Sequence, residues 1–180
     1  MHDQASQQIL LLLIILFPLG GAIINGLLGR YMPKAMVTLI GVGSVAVSFA
    51  LAVTTFIELY GLSGHDEEHA ALAYHFYEWF SLQLPGGKVV PINVGFLMDS
   101  LSGIMTLVVT GIGGLIHLYS VGYMGEDPGY PRFMSFLNLF MASMLILVLG
   151  SSLPVMFVGW EGVGLCSYLL IGFWYENRVY

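Results

Sequence analysis

Charge is what this chain has least of. Lys and Arg together number 5 and Asp and Glu 11 in 180 residues, so 9% of the chain is charged. A soluble domain carries about a quarter. With 57% hydrophobic residues and a mean hydropathy of +0.85, the composition is that of a polytopic membrane protein. The net charge is −6 and no basic patch exists, which excludes a nucleic-acid surface. Cysteine is scarcer still. One residue, Cys166, allows no internal disulfide and no iron–sulfur ligand set. No P-loop is present. The amino terminus lacks the marks of a secretory signal: residues 1–8 contain no Lys or Arg, and no small-x-small site ends the apolar run that follows.

Apolar runs fill the rest. Five spans are expected, at about residues 9–28, 36–60, 100–122, 133–149 and 153–175. Pro18 should kink the first, and Asn25 is a polar residue near its end. Ser44, Ser48 and Ala52 give the second a small-residue stripe suited to close helix contact. Residues 61–94 form the one sizeable extramembrane segment. Its second half reads as a β-hairpin, strands 77–84 and 89–94 around Pro85-Gly86-Gly87. Pro91 marks the second strand as short or as an edge. Asp99 stands at the start of the third span, where a carboxylate caps free N–H groups. The expected class is an all-α membrane protein, a single membrane domain of about five transmembrane helices with a short hairpin between the second and third.

Orientation follows from the few cations. With the amino terminus outside, Arg30, Lys34, Arg132 and Arg178 lie inside and only Lys88 outside. This obeys the positive-inside rule and puts the hairpin outside.

One residue breaks the pattern of the spans. Glu161 sits in the middle of the fifth, far from either end, where it cannot snorkel. A carboxylate there costs on the order of 3 kcal/mol unless a partner, a water-filled cavity or protonation offsets it. Gly159, Gly162 and Gly164 surround it, so helices or water can approach closely; Gly162 and Cys166 form a small-xxx-small pair, and Tyr168 lies two turns on, on the carboxyl's side. Intramembrane acids are functional by default. The alternative is a carboxyl hydrogen-bonded only for packing. His117, late in the third span, is either a proton relay or a helix-pinning donor.

Two further patterns carry less. His65-Asp66-Glu67-Glu68-His69 matches H-x-x-E-H, but a zinc site needs a helix, a third ligand and a cleft; a solvated acidic loop is expected, with no metal. Gly41-x-Gly43-x-x-Ala46 fits a loose dinucleotide fingerprint inside an apolar span, without a strand before it, and is chance.

The run G-W-E-G-V-G-L-C-S-Y-L-L-I-G-F-W-Y, from Gly159, resembles the fifth transmembrane helix of the L subunit of respiratory complex I, in the antiporter-like family. F-L-M-D-S-L-S-G-I-M and I-H-L-Y-S-V-G-Y-M resemble the start and end of that family's third helix, and R-F-M-S-F-L-N-L-F-M-A-S-M its fourth. The similarity runs from about Gly95; the first two spans are compatible but generic. The resemblance implies a proton-translocating subunit of NADH:quinone oxidoreductase, with Glu161 on the proton path. It implies that this chain binds no cofactor, while NADH, FMN, iron–sulfur clusters and quinone reside in partner subunits. Its partners would be other membrane subunits of complex I and the lipid bilayer. The location would be a bacterial inner membrane or, alternatively, a mitochondrial one. The family's later helices carry the lysine partner of this glutamate, so the chain is expected to be the first part of a longer subunit. Alternatives are the large subunit of a sodium/proton antiporter, or an anchor that transports nothing.

Overall fold

The structure is a computed structural model that describes residues 2–63 and 71–175, with side chains for 9–61 and 71–175. The His65–His69 pattern and Arg178 lie outside the described residues. The elements are α1 (His2–Leu28), a 3-10 turn (Gly29–Tyr31), α2 (Lys34–Ser63), β1 (Leu72–Gln83), β2 (Val89–Met98), α3 (Ser100–Tyr123), α4 (Tyr130–Leu149) and α5 (Leu153–Ile171). Among the described residues, five helices are long and apolar enough to cross a membrane.

Five membrane-length helices stand in the stretches expected, and their ends differ. Helix α4 starts at Tyr130 rather than 133, because Pro131 supplies a ready-made helical φ in its first turn. Helix α5 ends at Ile171 rather than 175. Gly172 closes it with its N–H on the carbonyls of Leu170 and Tyr168. Asp99 caps α3 in a full capping box. The Ser102 N–H donates to Asp99 Oδ1 at 2.7 Å, and the Asp99 N–H donates to Ser102 Oγ at 2.8 Å. The Ser102 N–H, then its hydroxyl, hold the Asp99 carboxyl below the usual carboxylate range.

Pro18 lies inside α1 and cannot donate to the carbonyl of Ile14 four residues back. Ser48 of α2 takes over, its hydroxyl donating to Ile14 O at 2.6 Å. Ser48 is fully buried, and no water competes for that carbonyl in hydrocarbon. The residue that read as a small contact in the stripe is thus the repair of the proline's missing bond. Ser135 of α4 makes a parallel bond to Ala22 O at 2.7 Å, tying α1 to α4.

The hairpin is longer than its sequence pattern. It pairs Leu72 with Met98 at the base and Gln83 with Val89 at the tip, and Phe76 and Trp79 bulge out of register. Gly86 and Gly87 make the tip with φ of +100° and +78°. Both strands of a two-stranded sheet are edges, so Pro91 is tolerated opposite Ser81. The extra pairs at the base come from tertiary contact. The Ser151 N–H donates to Gly95 O at 3.1 Å, which fixes β2 to the α4–α5 turn. Leu72 and Met98 join Leu11, Ile14, Leu59, Leu145 and Leu149 in one apolar cluster at this end. A second cluster, Val37, Met124, Tyr130, Met134 and Phe173, closes the opposite end. Helix α4 touches all four other helices, whereas α5 packs mainly on α4. Arg30, Lys34 and Arg132 gather at the end away from the hairpin, and Lys88 lies in the hairpin turn.

Candidate proton-path site

Between the two apolar clusters lies a layer of buried polar side chains. Asn138, fully buried, is its centre. Its Nδ2 donates to Ser44 Oγ at 2.9 Å, and its Oδ1 faces His117 Nε2 at 2.7 Å. His117 Nδ1 lies 2.7 Å from the Gly113 carbonyl, and the Ser44 hydroxyl donates to Gly41 O at 3.0 Å. Helix α1 closes over the group at Gly21, where a Cβ would strike the Asn138 amide and the Ser44 hydroxyl. Four helices therefore meet at one amide.

The chemistry of this group is constrained. The imidazole meets an oxygen on each side, and only the imidazolium donates at both nitrogens. A neutral ring that donates from Nδ1 leaves a lone pair at Nε2. That lone pair is satisfied only if the Asn138 amide turns to present its NH₂. Ser44 must then donate to Asn138 Oδ1 and release Gly41 O. The other neutral tautomer, protonated at Nε2, keeps the bond to Asn138 Oδ1 and leaves a lone pair facing Gly113 O, so only the Nδ1–H tautomer couples the ring to the Asn138 amide and through it to α2. No Asp, Glu, Lys, Arg or second His hydrogen-bonds this group among the described residues.

Glu161 sits otherwise. Near the middle of α5, it is on the exposed face with Phe157, Val158, Trp160, Leu165 and Tyr168. Among the described residues its carboxylate has no hydrogen bond or ion pair. The glycines near it divide. Gly159 lies against the Leu147 backbone, and at Gly162 a Cβ would come 2.6 Å from Ser143 Oγ, while Gly164 faces open space. Gly159, Gly162 and the buried Cys166 form the seam with α4. The expectation that all three glycines open room around the carboxyl is corrected: two of them seat α5 on α4, and the carboxylate points elsewhere.

The structure brings His117 together with Asn138 and Ser44, and does not bring Glu161 to either. Sequence reading notes Ser44 and His117 separately and pairs neither with Asn138. The available signal was a polar side chain within each of three apolar helices.

Comparison with known proteins agrees with these features. Residues 84–134, from the hairpin turn to the start of α4, match the family model described as NADH-Ubiquinone oxidoreductase (complex I), chain 5 N-terminus. That stretch holds His117 but not Glu161. The chain is 40% identical over 165 residues to NADH-quinone oxidoreductase subunit L of Mycobacterium tuberculosis, covering 92% of this chain and 25% of the relative. The Pseudomonas aeruginosa subunit L is 41% identical over 169 residues, 94% and 26% of the two chains. NADH-ubiquinone oxidoreductase chain 5 of Triticum aestivum is 40% identical over 166 residues, 92% and 23%. The similarity thus covers more than the stretch from Gly95 onward and takes in the first two spans. The chain spans about a quarter of the length of these curated relatives. With its five membrane-length helices and a hairpin between the second and third, the chain belongs to the antiporter-like membrane-subunit family of subunit L and chain 5 of NADH-quinone oxidoreductase.

Proposed function

We propose that this chain moves protons as part of an antiporter-like subunit of NADH-quinone oxidoreductase, with Glu161 as the titrating group. The carrying observation is that carboxylate: mid-helix, on the face of α5 turned away from α4, with no partner among the described residues. Hydrocarbon does not accept a bare carboxylate, so a protein surface, a water-lined path or a bound proton must offset its cost. A cation that approaches a carboxyl favours its ionised form, and one that leaves favours the neutral form. Moving a cation toward Glu161 would therefore drive proton release, and moving it away would drive uptake.

Redox groups would reside in partner subunits, and the chain would sit in a bacterial inner membrane or a mitochondrial one, as a multi-pass component with its amino terminus outside. The relatives named above come from bacteria and a plant. The test is proton pumping in vesicles by the whole assembly carrying Glu161→Gln. Gln keeps the size and removes the titrating proton. Pumping should fall about tenfold or more at normal subunit content. Normal pumping at normal content would leave Glu161 a packing residue and the chain an anchor. Sodium-dependent exchange without any redox partner would instead support the antiporter reading.

His117 supports a second role. Its two hydrogen bonds go to α3 and α4 and none goes to α5. That favours a pin of the bundle over a direct relay to Glu161.

A further inference from the structure

We infer that the end of the bundle opposite the hairpin holds a binding site for the headgroup of an anionic phospholipid of the phosphatidylglycerol type. Three of the protein's five Lys and Arg residues, Arg30, Lys34 and Arg132, line one cavity of about 710 Å³ there. No acidic residue lines it. Nor are these cations neutralised elsewhere among the described residues. Lys34 Nζ donates to the Gly125 carbonyl at 2.5 Å, Arg132 Nη2 donates to the Phe173 carbonyl at 3.1 Å, and Arg30 lies over the Tyr31 ring. An ammonium has three N–H donors and a guanidinium five, so these bonds leave most donors free. Asp127 does not line the cavity and pairs with none of these cations: its carboxylate accepts from the Gly129 N–H at 2.6 Å and from Trp174 Nε1 at 2.9 Å.

A second observation points to the same ligand. Asn25 also lines the cavity and is 1% exposed. Its Nδ2 donates to Val37 O at 3.2 Å, which fixes the amide and leaves Oδ1 a buried acceptor without a partner. The site therefore asks for an anion that also brings a hydroxyl donor, directly or through one water. A phosphodiester bearing a glycerol headgroup supplies both. A zwitterionic headgroup brings an amine for which the cavity has no carboxylate. Position agrees as well: the first span ends at Tyr31 and the fourth begins at Tyr130, so the cavity lies where helix ends meet the headgroup layer. Basic pockets between helices at that depth hold anionic lipid.

The test uses the purified membrane assembly in phosphatidylcholine nanodiscs doped with a photoactivatable phosphatidylglycerol, with crosslinks mapped by mass spectrometry. Crosslinks are expected within residues 25–34 and 128–136. Each cation near an anionic lipid is worth about fivefold in affinity, so Arg30→Gln with Lys34→Gln should lower the yield at least about tenfold. Asn25→Leu should weaken phosphatidylglycerol and leave phosphatidic acid, which has the charge without the glycerol hydroxyls, unchanged. Unaltered subunit content in each variant shows that the chain still assembles. Equal labelling by a photoactivatable phosphatidylcholine, or full labelling in the double variant, would overturn the proposal. Complete competition by millimolar inorganic phosphate would also overturn it, by assigning the cavity to a free anion.

Discussion

Asn138 and Glu161 lie well inside neighbouring helices, α4 and α5, with opposite surroundings. Asn138 is fully buried and bonded on both sides within this chain. Glu161 is exposed on the bundle and has no partner among the described residues. Both would be costly in bare hydrocarbon. The chain satisfies one of them internally and presents the other outward. The difference separates two placements of polarity in a membrane: one is answered inside the bundle, the other faces out of it.

The largest expected effect would split the two residues. Asn138→Leu should destabilise the bundle by about 3 kcal/mol, because His117 Nε2 and the Ser44 hydroxyl each lose a buried partner. Glu161→Leu should change bundle stability by less than about 0.5 kcal/mol, since it removes no contact within the chain. Unfolding in mixed micelles would measure both. Equal losses would mean that Glu161 is held inside the chain after all.

A smaller effect concerns the proline repair. Ser48→Ala should cost about 1–2 kcal/mol by orphaning the Ile14 carbonyl. In a Pro18→Ala background the helix can bond that carbonyl itself, and the cost of Ser48→Ala should fall below about 0.5 kcal/mol. A double-mutant cycle with no coupling between the two positions would show that the hydroxyl serves another purpose.

The glycines offer a finer cut. Gly159→Ala drives a methyl into the Leu147 backbone and should cost about 1–3 kcal/mol, with α5 displaced from α4. Gly164→Ala meets open space and should be nearly neutral in the isolated chain. Any larger loss for Gly164→Ala that emerges only in the whole assembly would locate the surface that covers Glu161.

The smallest effect lies at the α3 cap. Asp99→Ala should cost about 1 kcal/mol. Folding holds this carboxyl below its usual value of 3.8, so its ionised form is the one the fold favours. The cap's contribution is therefore present above about pH 4 and fades as pH falls through the lowered folded value. Amide exchange at residues 100–103 should rise over that acidic window in the wild type, and in Asp99→Ala it should be high throughout.

Much of the outline was legible in the sequence. Long apolar runs make helices in a membrane whatever their neighbours, because each backbone N–H needs a partner within its own segment. Asp99 before an apolar run and Gly86-Gly87 between alternating residues are equally local signals. Less legible was the base of the hairpin: Leu72–His75 and Gly95–Met98 pair because the α4–α5 turn and the apolar cluster hold them. Ser48 illustrates the same limit. A serine in a small-residue stripe looks like any other, and only its place beside Ile14 shows which bond it repairs.

By itself the sequence determined that this chain crosses a membrane about five times, and that one acid would lie at mid-depth in its fifth span. Hydrophobic run length and the cost of a buried charge decide those two facts without reference to packing. Only the tertiary structure decided which way that acid faces, and which polar residues answer one another. A helix has a full circle of directions. The one it buries is chosen by the fit of Gly159, Gly162 and Cys166 against α4, and the remainder, Glu161 with it, is left for whatever lies beside the bundle.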